Sequence, residues 1–278
     1  MIQSTLNCKG RLLDLSRPQV MGILNVTPDS FFDGGRYGDP SHALRQAEKM
    51  IRDGASILDV GGASSRPGAA EVPEEEETRR VLPVIEALSA EFPDTIVSVD
   101  TWLAGVALTA AEAGAGIIND ISAGNLDENL LTAVAKIQAP YVLMHMQGAP
   151  ATMQANPQYE DVVTDVLDFF LEKTAVLRAL GIRDIVLDPG FGFGKKADHN
   201  FEMLRRFSEF RIAGMPLVAG LSRKTMIWKT LDISPDLALN GTTALNMAAL
   251  MKGASILRVH DVSEARQVVL LFEKMYPT

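Results

Sequence analysis

The sequence predicts an α/β protein of the (β/α)8, or TIM-barrel, class, and three observations support this. The length of 278 residues suits one such barrel, so we expect a single domain over residues 1–278. Short runs rich in Val, Ile and Leu alternate with amphipathic stretches, as buried parallel strands alternate with crossover helices. The segment Asp53–Val60 recurs almost unchanged as Lys252–Val259, and in both copies a glycine stands where a helix ends before a strand. A doubly wound open sheet is the alternative with the same alternation.

Each apolar run is interpreted as one barrel strand. The predicted strands are Val20–Val26, Ser56–Gly61, Thr95–Thr101, Gly116–Ser122, Pro140–Met146, Ile185–Pro189, Pro216–Ser222 and Ser255–His260. The clearest helical patterns between and after them are Ser41–Arg52, Glu74–Glu91, Asp161–Leu180 and Ser263–Tyr276. Ahead of the first strand, Ile2–Leu15 carries the turn-like stretch Asn7–Gly10 between apolar residues, which predicts an N-terminal β-hairpin closing the bottom of the barrel.

Composition and charge narrow the class of function. The net charge of −9 argues against nucleic acid or an anionic membrane surface as a partner. One cysteine, Cys8, allows no internal disulfide, and four histidines make a His-rich metal site a poor expectation. The N-terminus lacks a signal-peptide pattern, and no apolar run approaches the roughly 18 residues of a membrane span. We therefore expect a cytoplasmic protein.

Polar residues stand at the end of every predicted strand. In this barrel class the active site lies at the C-terminal ends of the strands, so these residues are expected to converge. In chain order they are Asn25, Asp59, Asp100, Asn119, His145, Asp188, Ser222 with Lys224, and Arg258 with His260.

The cations and the anions are expected to form two halves of the barrel mouth. Arg66, Lys224, Arg258 and His260 come from strands that are neighbours in a closed barrel, where phosphate sites are frequent, so we expect an anionic, phosphorylated substrate. Asn25 can add a metal ligand or a hydrogen-bond donor there.

The opposite half holds acids and an amide, namely Asp59, Asp100, Asp188 and Asn119. Such groups suit a ligand edge rich in N–H donors, for example an aminopyrimidinone. Asp59 is equally compatible with a loop-capping role. Arg223 is expected to form a structural ion pair, and His145 to belong to the pocket wall or the core.

Two long loops and one glycine-rich loop border this mouth. The segments Thr27–Pro40 and Ala63–Pro73 are long enough to be lids, and the adjacent Phe31 and Phe32 argue against a purely solvated loop. The stretch Asp188–Lys196 is not a P-loop, because three rather than four residues separate its outer glycines and lysine stands where serine or threonine should.

Taken together, these motifs resemble the dihydropteroate synthase family over essentially the whole chain. The matching segments are Asn25–Phe31 with Asp33–Gly35, Asp59–Gly62 with Ser64–Gly68, Ser98–Asp100, Asn119–Ile121, Asp188–Phe193, Ser222–Lys224 and Arg258–Asp261. Each motif is modest alone, whereas the ordered set is specific.

The resemblance implies a reaction and a set of roles. The reaction condenses 6-hydroxymethyl-7,8-dihydropterin diphosphate with 4-aminobenzoate to 7,8-dihydropteroate and diphosphate, with Mg2+. By resemblance, the pterin is bound by Asp100, Asn119, Asp188 and Lys224. The diphosphate is bound by Asn25, Arg66, Arg258 and His260, with Asn25 also the metal ligand. The aminobenzoate is framed by Ser65, Arg66, Phe193, Ser222 and Lys224. Asp100, Lys224 and Arg258 are the expected catalytic residues, and a homodimer is the expected assembly.

The sequence also departs from the family pattern at four positions. The family pattern has glutamate at Ala63, more often threonine at Ser65, serine at Phe32 and a small residue at Trp228. These departures concern loop geometry and the aminobenzoate pocket.

Two other functions remain as alternatives. A pterin-binding methyltransferase would share Asp100, Asn119 and Asp188 but leave the phosphate cations unexplained. A catalytically silent barrel that serves as a binding subunit would predict losses among those cations, and none is seen.

Overall fold

The computed structural model describes residues 3–27, 40–64, 71–149, 152–154 and 156–277, and it forms a closed parallel barrel. Eight strands lie side by side in chain order around the barrel, and all neighbouring pairs are parallel. A parallel bridge between Leu187 and Leu217 joins the two outer strands and closes the ring. The predicted barrel is therefore confirmed, and the open doubly wound sheet is excluded.

The strands have the following bounds. They are β1 (Thr5–Cys8), β2 (Arg11–Asp14), β3 (Gln19–Asn25), β4 (Ile57–Gly61), β5 (Ile96–Asp100), β6 (Ile117–Asp120), β7 (Tyr141–Met144), β8 (Ile185–Asp188), β9 (Val218–Ala219) and β10 (Ile256–Val259).

The α-helices surround the barrel. They are α1 (Ser41–Arg52), α2 (Glu74–Glu91), α3 (Ala104–Glu112), α4 (Leu130–Ile137), α5 (Val162–Ala179), α6 (Ala197–Arg205), α7 (Thr225–Thr230), α8 (Leu239–Met251) and α9 (Val262–Met275). Short 3-10 segments lie at Phe207–Ala213 and Pro235–Leu237. None of the helices in these ranges is long and apolar enough to cross a membrane.

The predicted elements agree with these bounds to within two residues at each end, except at β9. The strand predicted over Pro216–Ser222 contains only two ladder residues, Val218 and Ala219. The chain leaves the sheet early because it turns at Leu221–Lys224, where Arg223 has a left-handed φ of 53° and Lys224 N–H donates to the Leu221 carbonyl.

The repeated helix-to-strand segment depends on its two glycines. Gly54 and Gly253 have φ of 107° and 95°, the left-handed conformation expected where each helix ends. A β-carbon at Gly54 would lie 2.7 Å from Arg266 Cγ, and one at Gly253 2.7 Å from Arg211 Cδ. Glycine is therefore required on both conformational and steric grounds.

The N-terminal hairpin closes the bottom of the barrel, as predicted. β1 and β2 pair antiparallel, and the buried side chains Leu6, Cys8 and Leu13 of the hairpin, with Leu15 just after it, form one apolar cluster with a residue from every barrel strand. The strand members of this cluster are Met21, Ile57, Ile96, Ile117, Val142, Val186, Val218 and Ile256. We call this apolar layer, formed by the hairpin residues and one residue from each strand, the floor of the barrel.

The floor predicts a sharp contrast between two neighbouring hairpin leucines. Leu13→Ala removes a side chain that is 5% exposed, so the free energy of unfolding should fall by about 2–5 kcal/mol. Leu12→Ala is the matched control, because Leu12 is 74% exposed and its loss should stay within about 0.5 kcal/mol. Urea unfolding followed by circular dichroism measures both, and equal effects would contradict the closed floor.

Candidate active site

Four of the predicted site residues lie in the second layer of the barrel interior. Because side chains alternate along a strand, the residue two positions after each floor residue also points inward, nearer the C-terminal mouth. This layer consists of Ile23, Asp59, Ser98, Asn119, Met144, Asp188, Gly220 and Arg258. The apolar floor is thus followed by a layer that contains most of the polar interior side chains, and a pocket opens between this layer and the mouth. The residues that line this pocket are Asn119, Ile121, Met144, Asp188, Gly190, Phe191, Phe193, Gly220, Lys224 and Arg258.

Arg258 lies at the centre of the polar layer. Its Nε donates to Asp59 Oδ2 over 2.7 Å, and its Nη2 donates to Asp100 Oδ2 over 2.5 Å. The Asn119 amide donates to the same Asp59 oxygen over 2.9 Å. Asp59 is fully buried. Its carboxylate therefore orients both the arginine and the amide rather than capping a loop.

This arrangement corrects the expectation of two opposed halves. The sequence predicts Arg258 in the cationic half and Asp100 in the acidic half, yet the two are hydrogen-bonded. The reason is physical, because an unpaired charge this deep would be costly, whereas a guanidinium between two carboxylates is compensated.

Burial and neighbouring charges shift the acid–base behaviour of the pocket. Burial raises the pKa of Asp100 to about 7, although Arg258 opposes the shift. Burial lowers the pKa of Lys224 to about 8, with Arg258 acting in the same direction. Burial also raises the pKa of Asp188, against the Gly190 N–H that donates to it over 2.8 Å. Burial lowers the pKa of Arg258, but Asp59 and Asp100 outweigh it and raise that pKa above its usual value, so the guanidinium stays charged.

His260 and Ser222 form a second, smaller group. The distance from Ser222 Oγ to His260 Nδ1 is 3.0 Å, and the His260 backbone N–H donates to the same hydroxyl. Desolvation by the surrounding protein and the charge of Arg258 lower the pKa of His260 to about 4, although the residue keeps an exposed surface at the mouth, so the imidazole is neutral near pH 7. If the hydroxyl donates to Nδ1, the ring proton sits on Nε2 and is free to donate elsewhere.

Arg223 has the structural role predicted for it. It forms a two-pronged ion pair with Asp261, over 2.9 and 2.8 Å. Its backbone N–H donates to Thr242 Oγ1. Arg223 thus anchors the turn after β9, while its chain neighbours Ser222 and Lys224 contribute to the site.

The strand register aligns Asn25 with the acids. Asn25 pairs with Gly61 across β3 and β4, Gly61 with Asp100 across β4 and β5, and Asp100 with Asn119 across β5 and β6. Gly61 leaves the space between its neighbours free. A β-carbon there would lie 3.7 Å from Asn25 Oδ1 and 3.8 Å from Asp100 Oδ2.

These oxygens suit a magnesium ion that is shared with a phosphorylated ligand. Mg2+ prefers oxygen donors and usually takes only one or two of them from the protein, the rest coming from phosphate and water. Across the described ranges no group of three or more His, Cys, Asp or Glu side chains could hold a metal by itself. An amide oxygen beside a carboxylate therefore fits a site that the substrate completes.

Several predicted positions fall outside this geometry. Ser65, Arg66 and Phe32 lie outside the described residues, so their predicted roles stay predictions. Ala63 is partly buried just after β4. Trp228 on α7 packs against the main hydrophobic core rather than lining the pocket.

Sequence reasoning missed two buried charged residues. The sequence indicates only the acidic first turn of a helix at Glu77, but this side chain is fully buried, burial raises its pKa, and its charge contributes to the raised pKa of Asp100. No sequence motif distinguishes Lys195, although it is buried behind the pocket residues Gly190 and Phe193, and burial lowers its pKa to about 7. The signal available for Lys195 was its position directly after the three glycines of the β8 loop.

Comparison with known proteins identifies the family of this chain. The family model described as pterin binding enzyme matches residues 21–260. Dihydropteroate synthase of Escherichia coli K12 is 48% identical over 267 residues, which cover 95% of this chain and 94% of the relative.

Solved structures agree with the sequence relatives. The Yersinia pestis dihydropteroate synthase, solved with a sulfonamide drug, has a TM-score of 0.93 at 46% identity and covers 99% of this chain and 100% of that one. The Xanthomonas albilineans enzyme in complex with 7,8-dihydropteroate has a TM-score of 0.88 at 39% identity, covering 99% of each chain. The chain therefore belongs to the dihydropteroate synthase family of pterin-binding enzymes.

Proposed function

We propose a specific assignment of roles by which this barrel, a transferase of the dihydropteroate synthase family, carries out the family's reaction. The reaction condenses 6-hydroxymethyl-7,8-dihydropterin diphosphate with 4-aminobenzoate. The pterin ring occupies the pocket between Asn119 and Asp188, where the carboxylate accepts from the ring N–H groups. Asp100 and Lys224 complete its surroundings at the mouth.

One observation carries this assignment. Arg258 lies between the acidic residues that suit a pterin edge and the mouth where a diphosphate can bind, and it is held by Asp59 and Asp100. Two of its nitrogens are used in these bonds, while Nη1 has no hydrogen-bond partner among the described residues and can bind a phosphate oxygen. The neutral His260 donates from Nε2, and Arg66 and Asn25 are expected to complete the diphosphate site.

The chemistry needs no protein nucleophile. The C–O bond to the diphosphate breaks, and its electron pair leaves with the diphosphate oxygen, whose growing charge Arg258 and His260 stabilise. The positive charge left on the pterin methylene is stabilised by the Asp100 carboxylate. The aminobenzoate nitrogen then forms the new C–N bond with its lone pair and loses a proton to solvent. This is a dissociative substitution without a covalent enzyme intermediate.

The second substrate is placed by the opposite wall of the same mouth. Phe193 lies with its ring 4.3 Å from Lys224 Nζ, so a flat aromatic acid can lie against the ring with its carboxylate near a cation. Ser222, together with Ser65 and Arg66, is proposed to complete this pocket.

Magnesium is the proposed cofactor. Asn25 Oδ1 would contribute the protein ligand, and the ion would neutralise charge on the diphosphate when it is bound. Asn25 would in this way help to hold the diphosphate at the mouth.

We also propose that the chain is a single cytoplasmic domain that forms a homodimer. Large apolar side chains are exposed on the neighbouring helices α8 and α9, on the residue after α9 and on the 3-10 segment before α8, which we take as the candidate face. They are Leu237, Met251, Leu270, Leu271, Met275 and Tyr276. A second copy of this chain would bury that face.

Diphosphate release tests the assignment of roles. Asp100→Asn and Arg258→Ala should each lower kcat/KM by about 100-fold or more, because each removes charge that acts on the separating ion pair. Arg258→Ala also leaves two acids without their cation and can destabilise the fold. Arg258→Lys keeps the positive charge but not the two-nitrogen geometry, so we expect it to lower kcat/KM by about tenfold. Arg205→Ala, on the exposed outer helix α6, is the matched control. Pterin binding without release or product in the unaltered protein would favour the methyltransferase or the silent barrel.

The pH dependence of kcat/KM should be bell-shaped. Asp100 acts as a carboxylate, and its pKa is raised to about 7, so activity should rise as the pH passes about 7. Lys224 acts as a cation, and its pKa is lowered to about 8, so activity should fall as the pH passes about 8. Steady-state assays over the range from acid to alkaline pH measure both limbs. Lys224→Arg should shift the alkaline limb upward, and an unmoved limb would contradict this assignment.

The homodimer can be tested at one side chain. Leu271 is 61% exposed on α9, so Leu271→Glu should shift the protein toward monomer in sedimentation velocity experiments. Leu12→Glu is the matched control, since this exposed leucine lies on the hairpin at the bottom of the barrel. A monomeric unaltered protein at micromolar concentration would refute the dimer.

A further inference from the structure

The β8–α6 loop, residues 189–196, is fixed by contacts that the reaction itself does not explain. Gly190, Gly192 and Gly194 have φ of 70°, 82° and 61°, which other residues rarely adopt. A β-carbon at Gly190 would lie 2.0 Å from the His145 carbonyl oxygen, and one at Gly194 2.4 Å from that of Gln147. The loop is thus pressed directly against the backbone that follows β7.

Lys195 holds this loop from inside. Its ammonium lies 3.2, 3.1 and 3.0 Å from the carbonyl oxygens of His145, Gly190 and Phe193, and 2.9 Å from His145 Nδ1. The side chain is buried, with 3% of the residue exposed. All of these partners are neutral, because burial and the Lys195 charge lower the pKa of His145 to about 2.

Burying a lysine side chain to hold a loop costs folding free energy. Desolvation of the ammonium opposes folding and lowers the pKa of Lys195 to about 7. Among the described residues no carboxylate forms a direct ion pair with Lys195, and the charge of Asp188 offsets the desolvation only in part. An apolar side chain could fill the same volume. The presence of lysine is explained if the position of these carbonyls matters to the site.

The carbonyls that Lys195 binds belong to residues that orient the pocket. The Gly190 peptide accepts from Lys195 through its oxygen, and the Gly190 N–H donates to Asp188 Oδ1 over 2.8 Å. The Phe193 carbonyl accepts from Lys195, and the Phe193 ring lies against Lys224. The Lys195 ammonium is therefore connected to the proposed pterin site through Gly190 and to the proposed aminobenzoate site through Phe193.

We propose that Lys195 is a positioning residue for both substrates: it holds the β8–α6 loop so that Asp188 faces the pterin and Phe193 lies against Lys224. The proposal rests on the roles given above to Asp188 and Phe193. Lys195 touches neither substrate and acts only through these two residues.

The first test measures pterin binding alone, with 6-hydroxymethyl-7,8-dihydropterin as the calorimetric probe. Lys195→Met leaves three buried carbonyls without their donor, and we expect the dissociation constant to rise about tenfold or more. The Michaelis constant for the aminobenzoate substrate should rise as well. Lys173→Met is the matched control, because Lys173 binds Asn125 Oδ1 and the Ala123 carbonyl on a different loop of the same face. It should leave both values unchanged.

A double-mutant cycle separates positioning from general destabilisation. If Lys195 acts through Asp188, Lys195→Met should weaken pterin binding much less when Asp188→Asn is already present. Additive losses would overturn the proposal. So would a Lys195→Met protein that has a lowered melting temperature but unchanged affinity and KM, because the role would then be purely structural.

A milder variant covers the case in which Lys195→Met does not fold. Lys195→Gln keeps two N–H donors, so an intermediate loss of affinity is expected, and unchanged affinity would refute the proposal. The cycle also distinguishes the two layers of inference. If Asp188→Asn alone leaves pterin binding unchanged, the role proposed for Asp188 fails. If Asp188→Asn weakens binding and Lys195→Met does not, only the role of Lys195 fails.

Discussion

The fork of Arg258 between Asp59 and Asp100 is the interaction on which the site depends. Its bonds of 2.7 and 2.5 Å fix a charge in the second interior layer of the barrel, where an unpaired ion would be costly. The same fork fixes Asp59, which in turn receives the amide of Asn119. Four strands, β4, β5, β6 and β10, are therefore connected by side chains as well as by the backbone ladder. A ligand that enters meets groups already oriented, so little reorganisation remains for the reaction.

Burying charged and polar side chains in this layer costs free energy that the rest of the fold must offset. The floor below does so, because one apolar residue from each strand packs against the hairpin leucines and excludes water from the barrel's lower end. Burial is what moves the pKa of Asp100 and Lys224 toward each other, to about 7 and about 8. On each strand, the inward-facing residue near the bottom stabilises the barrel, and the inward-facing residue two positions later lies in the layer that contains Asp59, Asn119, Asp188 and Arg258.

The alternation of side chains along each strand explains how much the sequence alone could predict. The eight runs, the glycine-ended helices at Gly54 and Gly253 and the polar strand ends are local patterns, and the structure confirms the barrel they predict. Pairing between side chains is not local. The bond from Arg258 to Asp59 joins residues 199 positions apart, so the sequence placed both at the mouth without predicting that they pair. The shortening of β9 was missed for a related reason, since it follows from a left-handed turn at Arg223 held by Asp261.

Lys195 shows why a buried network escapes a residue-by-residue reading. Its partners are mainly backbone carbonyls, which leave no trace in side-chain identity, and only the three glycines before it indicate an unusual path. The consequence reaches the chemistry. In the proposed assignment Asp188, just before the β8–α6 loop, contacts the pterin, and Phe193, within the loop, contacts the aminobenzoate, so a shift of this loop would displace the two substrates relative to each other. Substitution at a methylene depends on that relative position more than on the affinity of either partner. Under the proposal, a buried lysine that contacts neither substrate therefore influences the step that joins them.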